Sequence, residues 1–194
     1  MCSIIVTFNE SVPAVLQSMA ESARHRGPDS FEILENGRHG IAACRLSIFG
    51  DSDGSMIHID PITGHIVLLN GEIYNYDDLW QNLTGKGIPH RSNSEAELIA
   101  RLYELYGLDF AGHLKGMFAI AILDGQRLIL ARDRFGIKPL HYAKAGGAVL
   151  VSSEIKGIFS HPRVTPSLNR MALEETRVFG YVTDPEATFF EGVR

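Results

Sequence analysis

Cys2 stands one removable residue from the amino terminus. Excision of Met1 would leave a thiol of reference pKa about 8.5 beside an α-amino group titrating at about 7.7–8.0. An amine partly neutral at cytoplasmic pH accepts the thiol proton, directly or through one water, so one residue supplies nucleophile and base. The same position also suits a small apolar filler at a strand start. Cys44, inside an apolar run over 41–44, reads as core. In Arg45-Leu46-Ser47-Ile48-Phe49 an arginine ends a strand, where it clamps a carboxylate through two parallel hydrogen bonds or makes a surface pair. Asn70-Gly71-Glu72-Ile73-Tyr74-Asn75 reads as a turn. There an Asn amide and a Gly N–H can aim at one developing oxyanion while Glu72 receives an ammonium group, although a plain Asn-Gly turn fits equally. Ser92-Asn93-Ser94-Glu95 opens a helix, whose free N–H groups and short polar side chains either hold a ligand or simply cap.

Other charged runs carry less. Arg132-Asp133-Arg134-Phe135-Gly136-Ile137-Lys138-Pro139 mixes both charge signs with Gly and Pro, and reads as a structural loop rather than an anion site. The eight histidines show no ligand spacing with Cys or carboxylates, so no metal site is expected. Ala145-Gly146-Gly147 lacks the Lys-Ser/Thr of a phosphate-cradling loop.

The elements that must position these residues follow from apolar periodicity. Residues 4–8, 41–49 and 65–69 read as strands, the last running straight into Asn-Gly. A helix after Pro13 has Val15, Leu16, Met19, Ala20 and Ala23 on one face and ends by Gly27. Ser94 and Glu97 form a capping-box pair for a second helix with Leu98, Ile99, Leu102, Leu105 and Tyr106 on its apolar face, stopped by Gly107. Strands 117–123 and 127–131 flank Asp124-Gly125, and 140–143 and 148–152 flank Ala145-Gly146-Gly147, giving two tight hairpins. Hairpins around two central helices predict antiparallel sheets with helices on their outer faces. From about His161 the chain is richer in Pro and polar residues. Its last residues, with Phe189 and Phe190 adjacent, read as a chain continuing into another domain.

Composition sets the class. The chain has 194 residues, 45% apolar and 21% charged, enough for a packed core. Lys plus Arg number 18 against 23 Asp plus Glu, a net charge of −5, which disfavours a grip on nucleic-acid phosphates. The longest apolar stretch, 117–123, is too short to span a bilayer, and no basic segment precedes the first apolar run as in a signal peptide. Two cysteines make no disulfide scaffold. A cytoplasmic protein is expected, with no nucleic-acid or membrane partner.

The order of these segments is more specific than any one of them. Met1-Cys2, His25-Arg26-Gly27-Pro28-Asp29, Arg45-Leu46-Ser47-Ile48, Asn70-Gly71-Glu72-Ile73-Tyr74-Asn75 and Ser92-Asn93-Ser94-Glu95 together resemble the class II glutamine amidotransferase domain. The 132–139 run and Ser153-Glu154-Ile155-Lys156 narrow the resemblance to the glutamine-dependent asparagine synthetase branch, over essentially the whole chain. The resemblance implies an α+β N-terminal nucleophile hydrolase fold, four layers αββα with two stacked antiparallel sheets. It implies an amidotransferase core over 1–160 and a C-terminal extension over 161–194 leading toward a synthetase domain. Cys2 would attack the glutamine side-chain amide, forming a thioester and releasing ammonia, and Asn70 and the Gly71 N–H would hold the oxyanion. Arg45 would bind the substrate α-carboxylate, the segment Leu46, Ser47, Ile48 and Phe49 would line the pocket, and Glu72 would meet the α-amino group, with Asn93 facing it.

L-Glutamine is then the substrate, and a synthetase domain or subunit the partner that receives ammonia; a homodimer is compatible with this. The chain itself needs no cofactor, since ATP and Mg belong to the synthetase half. Three positions depart from the family pattern: Ser3 for Gly, Asn93 for an Asp that would face the substrate ammonium, and His141 for a Tyr. The competing readings are a degenerate docking domain, as in relatives that lack the N-terminal cysteine, and a hydrolase of some other amide.

Overall fold

The computed structural model describes residues 2–47 and 55–194. Strand β1 (Ser3–Phe8) is buried along its whole length. It is the middle strand of a five-stranded sheet in the order β2 (Ser30–Asn36), β3 (His39–Arg45), β1, β9 (Ala148–Ser152), β8 (His141–Ala145). A second sheet runs β4 (Ile57–Ile59), β5 (Ile66–Ile73), β6 (Gly116–Asp124), β7 (Arg127–Arg132). Every strand pair in both sheets is antiparallel.

Side chains alternate across each strand, so each sheet feeds two apolar layers. One layer lies between the sheets and holds Ile4, Val6, Ile41, Ala43, Ile66, Leu68, Ala119, Ala121 and Val151. The opposite face of the first sheet, with Ile5, Ala42, Cys44 and Leu150, packs on helices α1 (Pro13–Ser22) and α4 (Ile155–Phe159). The opposite face of the second, with Val67, Leu69, Ile120 and Ile122, packs on α2 (Tyr76–Gly85) and α3 (Glu95–Tyr106). The result is the four-layer αββα arrangement that the family resemblance implies.

Both expected hairpins are present. Asp124 pairs with Arg127 across a turn in which Gly125 has φ 57°, and Ala145 pairs with Ala148 across Gly146 and Gly147, both at positive φ. Asn70 and Gly71, however, do not turn the chain. They lie inside β5, opposite Ala119 and Phe118 of β6. A Cβ at Gly71 would stand 2.1 Å from the Met117 carbonyl oxygen, so the glycine serves a close strand approach and the local turn preference is overridden. The capping box is half formed: Ser94 accepts from the Ala96 N–H at 3.2 Å, but Glu97 reaches back to the N–H groups of Arg91 and Ser92. Three helices were not foreseen, α2, the short α4 and α5 (Arg170–Phe179), the last burying only Ala172. Of the two terminal aromatics, Phe190 packs edge-on against Phe159, and the chain end hydrogen-bonds to Tyr142 of β8.

Candidate active site

Alternation along three strands decides which side chains meet. On β1, Ile4 and Val6 face the layer between the sheets, and Cys2, in step with them, packs against it. On β3, Ile41 and Ala43 face the same layer, which turns Arg45 toward it. On β5, Ile66 and Leu68 do so, and Asn70 and Glu72 follow on that face. Each strand passes from fully buried residues to the half-buried Cys2 and Arg45 and the exposed Glu72. Met56, just before β4 and thus beside Leu69, donates its N–H to Glu32, which pairs with Ala43 of β3. The ends of β3 and β5 that carry Arg45 and Asn70 are therefore tied together.

Cys2 is held at close range. Its Sγ accepts the Leu46 N–H at 3.4 Å and lies 3.7 Å from the Leu46 carbonyl oxygen. Leu46 and the exposed Ser47 are fixed by the 25–29 motif. Gly27 lies so close to β3 that a Cβ would stand 2.3 Å from the Cys44 carbonyl carbon. Asp29 donates its N–H to the Arg45 carbonyl at 3.0 Å and accepts the Ser47 N–H at 2.8 Å. Ile48 and Phe49 lie outside the described residues. Ser3 points away from Cys2, on the face it shares with Ile5, and sits across from Cys44.

Asn70 is 2% exposed, and its Nδ2 has no hydrogen-bond partner among the described residues. Such an orphan costs about 1–3 kcal/mol. The Gly71 N–H completes the picture. Phe118, its partner on β6, directs both backbone groups to Asp133: its N–H reaches Oδ2 at 3.2 Å and its carbonyl accepts the Asp133 N–H at 2.9 Å. Gly71 and Phe118 are thus a non-hydrogen-bonded pair, and the Gly71 N–H points to the opposite edge of β5. Among the described strands β4 lies on that edge, but it pairs only with Ile66–Leu68. Two residues on, the Ile73 N–H on this edge donates to Glu95 at 2.6 Å. Burial raises the Glu95 carboxyl above the usual range, nearby Glu72 adds to this, and the Ile73 hydrogen bond opposes it.

Asn93 is exposed and lines a shallow depression with His90, Arg91 and Ser92. Beside it Glu97 is engaged with the backbone N–H groups of Arg91 and Ser92. Asp133 in the 132–139 run accepts four backbone N–H groups, from Phe118, Phe135, Ile137 and Lys138, and Arg132 donates to the Gly136 and Lys138 carbonyls. That run is a self-bonded loop, as read from the sequence. No cluster of His, Cys, Asp and Glu suited to a metal occurs among the described residues.

Two residues with no assigned role also meet here. Arg26 donates its Nε–H to the Cys2 carbonyl at 3.1 Å and an Nη1–H to Glu154 at 2.9 Å. Both stood inside quoted motifs, but only strand register shows that segments 128 positions apart touch. No helix among the described residues is long and apolar enough to cross a membrane.

A family model described as "Glutamine amidotransferase domain" matches residues 1–194. An asparagine synthetase [glutamine-hydrolyzing] 2 of Bacillus subtilis is 35% identical over 178 residues, 87% of this chain and 24% of its own length. An "Amidase chry2" of Gibberella zeae is 34% identical over 183 residues, 92% of this chain and 26% of its own. The chain therefore spans about a quarter of the length of these relatives. Among solved structures, a glutamine phosphoribosylpyrophosphate amidotransferase from B. subtilis superposes with a TM-score of 0.70 at 18% identity, covering 87% of this chain and 45% of that one, which establishes a shared fold. With the motifs in order, the four layers in place and the match running from end to end, the chain belongs to the glutamine amidotransferase domain family.

Proposed function

We propose that this domain hydrolyses L-glutamine to glutamate and ammonia through a thioester on Cys2, and feeds the ammonia to an asparagine-synthetase-type domain or subunit in the cytoplasm. The observation that carries the reading is the buried Asn70 amide. Its Nδ2, without a hydrogen-bond partner among the described residues, lies on the face that Cys2 packs against.

Once Met1 is removed, the Cys2 amine takes the thiol proton and the sulfur attacks the side-chain carbonyl carbon. The carbonyl oxygen becomes an oxyanion, and the Asn70 Nδ2–H and Gly71 N–H donate to it. Collapse breaks the C–N bond, with the proton held by the amine passing to the departing nitrogen, so that ammonia leaves. Water, deprotonated by the same amine, then attacks the thioester and returns the thiol and glutamate. Arg45 clamps the substrate α-carboxylate, and Glu72 meets the α-ammonium at the open edge of β5. These two groups favour a free amino acid over other amides. The amidase relative leaves room for an ammonia acceptor other than the one asparagine synthesis uses.

The test is glutamate release from glutamine by protein whose N-terminus is verified as Cys2, together with intact mass after a glutamine-mimicking electrophile. One adduct is expected, absent in Cys2→Ala and retained in Cys44→Ala. An adduct on Cys44, or full activity with Met1 still attached, sinks the mechanism.

A further inference from the structure

The cluster around Glu154 is the largest group of charges beside the nucleophile that the mechanism above does not use. Glu154 is the N-cap of α4, yet its carboxylate makes no capping bond to that helix. It turns instead to Arg26 at 2.9 Å, His25 at 3.1 Å and Lys156 at 3.0 Å. Arg26, nine-tenths buried, spans from this carboxylate to the carbonyl of Cys2. Both ends of the span rest on rigid ground. Ile4 and Ser153 are bound in both directions: the Ile4 N–H donates to Ser153 Oγ at 3.0 Å, and the Ser153 N–H donates to the Ile4 carbonyl at 3.1 Å. The corner after β9 is further closed by Gly157, where a Cβ would stand 2.3 Å from Ser152 Oγ.

We infer that Glu154 is a positioning residue: by fixing the Arg26 guanidinium it fixes the Cys2 carbonyl, and with it the direction of the thiol and of the amine that serves as its base. A flexible terminal residue has two backbone dihedrals and one side-chain dihedral free; a bond at its carbonyl removes most of that freedom. Without that carboxylate the nearly buried Arg26 guanidinium loses the anchor at its Glu154 end, and its hold on the Cys2 carbonyl loosens. Although partial burial pushes the Glu154 carboxyl upward, hydrogen bonds from Arg26, Lys156 and His25 bring it down to about 2, so it stays ionised throughout the working range.

The inference rests on Cys2 as nucleophile, and its test separates the two. In a Cys44→Ala background Cys2 is the sole thiol. Its alkylation by iodoacetamide needs no glutamine. Glu154→Ala is expected to slow alkylation per folded molecule and kcat for glutamine together, by on the order of 10- to 100-fold, the usual effect of misplacing a reacting group by about 1 Å. KM should stay within about twofold, because ground-state binding is untouched. Glu154→Gln, which keeps an acceptor oxygen without the charge, should fall between Glu154→Ala and the parent. A purely structural role would lower Tm and leave the alkylation rate of the folded protein at the parent value, and that result overturns the inference. Should Glu154→Ala not fold, a parent-like rate in Glu154→Gln overturns it instead. A protein that alkylates normally at Cys2 but releases no glutamate refutes the glutaminase reading, while the alkylation ratio still decides this one.

Discussion

Asn70 and Arg45 lie on one layer, but their chemistry makes their removal distinguishable. An oxyanion donor acts only once the carbonyl has become tetrahedral, so Asn70→Ala should lower kcat by on the order of 10²–10³ with little change in KM. A carboxylate clamp holds ground state and transition state alike, so Arg45→Ala should act on KM. Leaving a desolvated substrate charge unpaired costs roughly 2–5 kcal/mol, more than tenfold in glutamine affinity. Steady-state glutaminase kinetics on the two variants check this, and matching losses confined to kcat would mean the roles are wrongly divided. Asn70 also differs from the other residues of its face in its resting state. Leu68 beside it is satisfied by apolar neighbours, whereas the buried Asn70 amide has no partner among the described residues, a standing cost of the kind that a ligand group can relieve.

At the scale of elements, the 132–139 loop carries the chain from β7 in one sheet to β8 in the other, and Asp133 holds it. Oδ1 accepts from Phe135 and Ile137, and Oδ2 from Phe118 and Lys138. An amide cannot replace this carboxylate, since its NH₂ would face two donors. Asp133→Asn should therefore destabilise by about 2 kcal/mol or more, and Asp133→Ala by about 3. In a domain of this size that lowers Tm by roughly 4–12 °C, measurable by scanning calorimetry. Burial opposes ionisation of Asp133, but the four N–H groups prevail and hold its carboxyl below the usual aspartate range. A depressed folded value stabilises above the unfolded value and is lost as the pH falls toward the folded one, so the acid limb of the stability profile should flatten in Asp133→Asn. The same scale shows what the sequence made legible. The strands and hairpins announced themselves because Gly125, Gly146 and Gly147 satisfy positive φ locally. Gly71 misled because its reason is a neighbouring strand, which no local pattern contains. Helix α2 did have a stripe of Tyr76, Leu79, Trp80 and Leu83, all in or against the core, which the sequence reading passed over. Helix α5 buries one residue, so periodicity had nothing to report. The order of motifs pointed to the candidate site residues; the Arg26–Glu154 contact depends on which strands neighbour β1, and that is set only by the whole sheet.

Over the whole molecule, the two sheets are built very differently along the chain. The second sheet and its helices come from one continuous stretch, 57–132, whereas the first sheet joins 3–45 to 141–152 around it. Trp80, the single tryptophan, is buried in the continuous half, and Cys44 is fully buried in the divided half. Closing a long loop comes late because its entropy must be spent before its contacts form. In refolding from denaturant, Trp80 fluorescence should reach its native value before Cys44 becomes protected from a pulse of thiol reagent. Simultaneous recovery, or protection of Cys44 first, would contradict that order. β1 leaves the ribosome before the other strands of this domain, yet its hydrogen bonds to Ser153 span 149 positions. During synthesis β1 has only β3 beside it, so the strand next to Cys2 waits with an open edge until nearly the whole domain has been made. A partly synthesised chain thus has Cys2 but not the bonds that orient it, and on the proposed mechanism competence to split an amide arrives only with the closing strand.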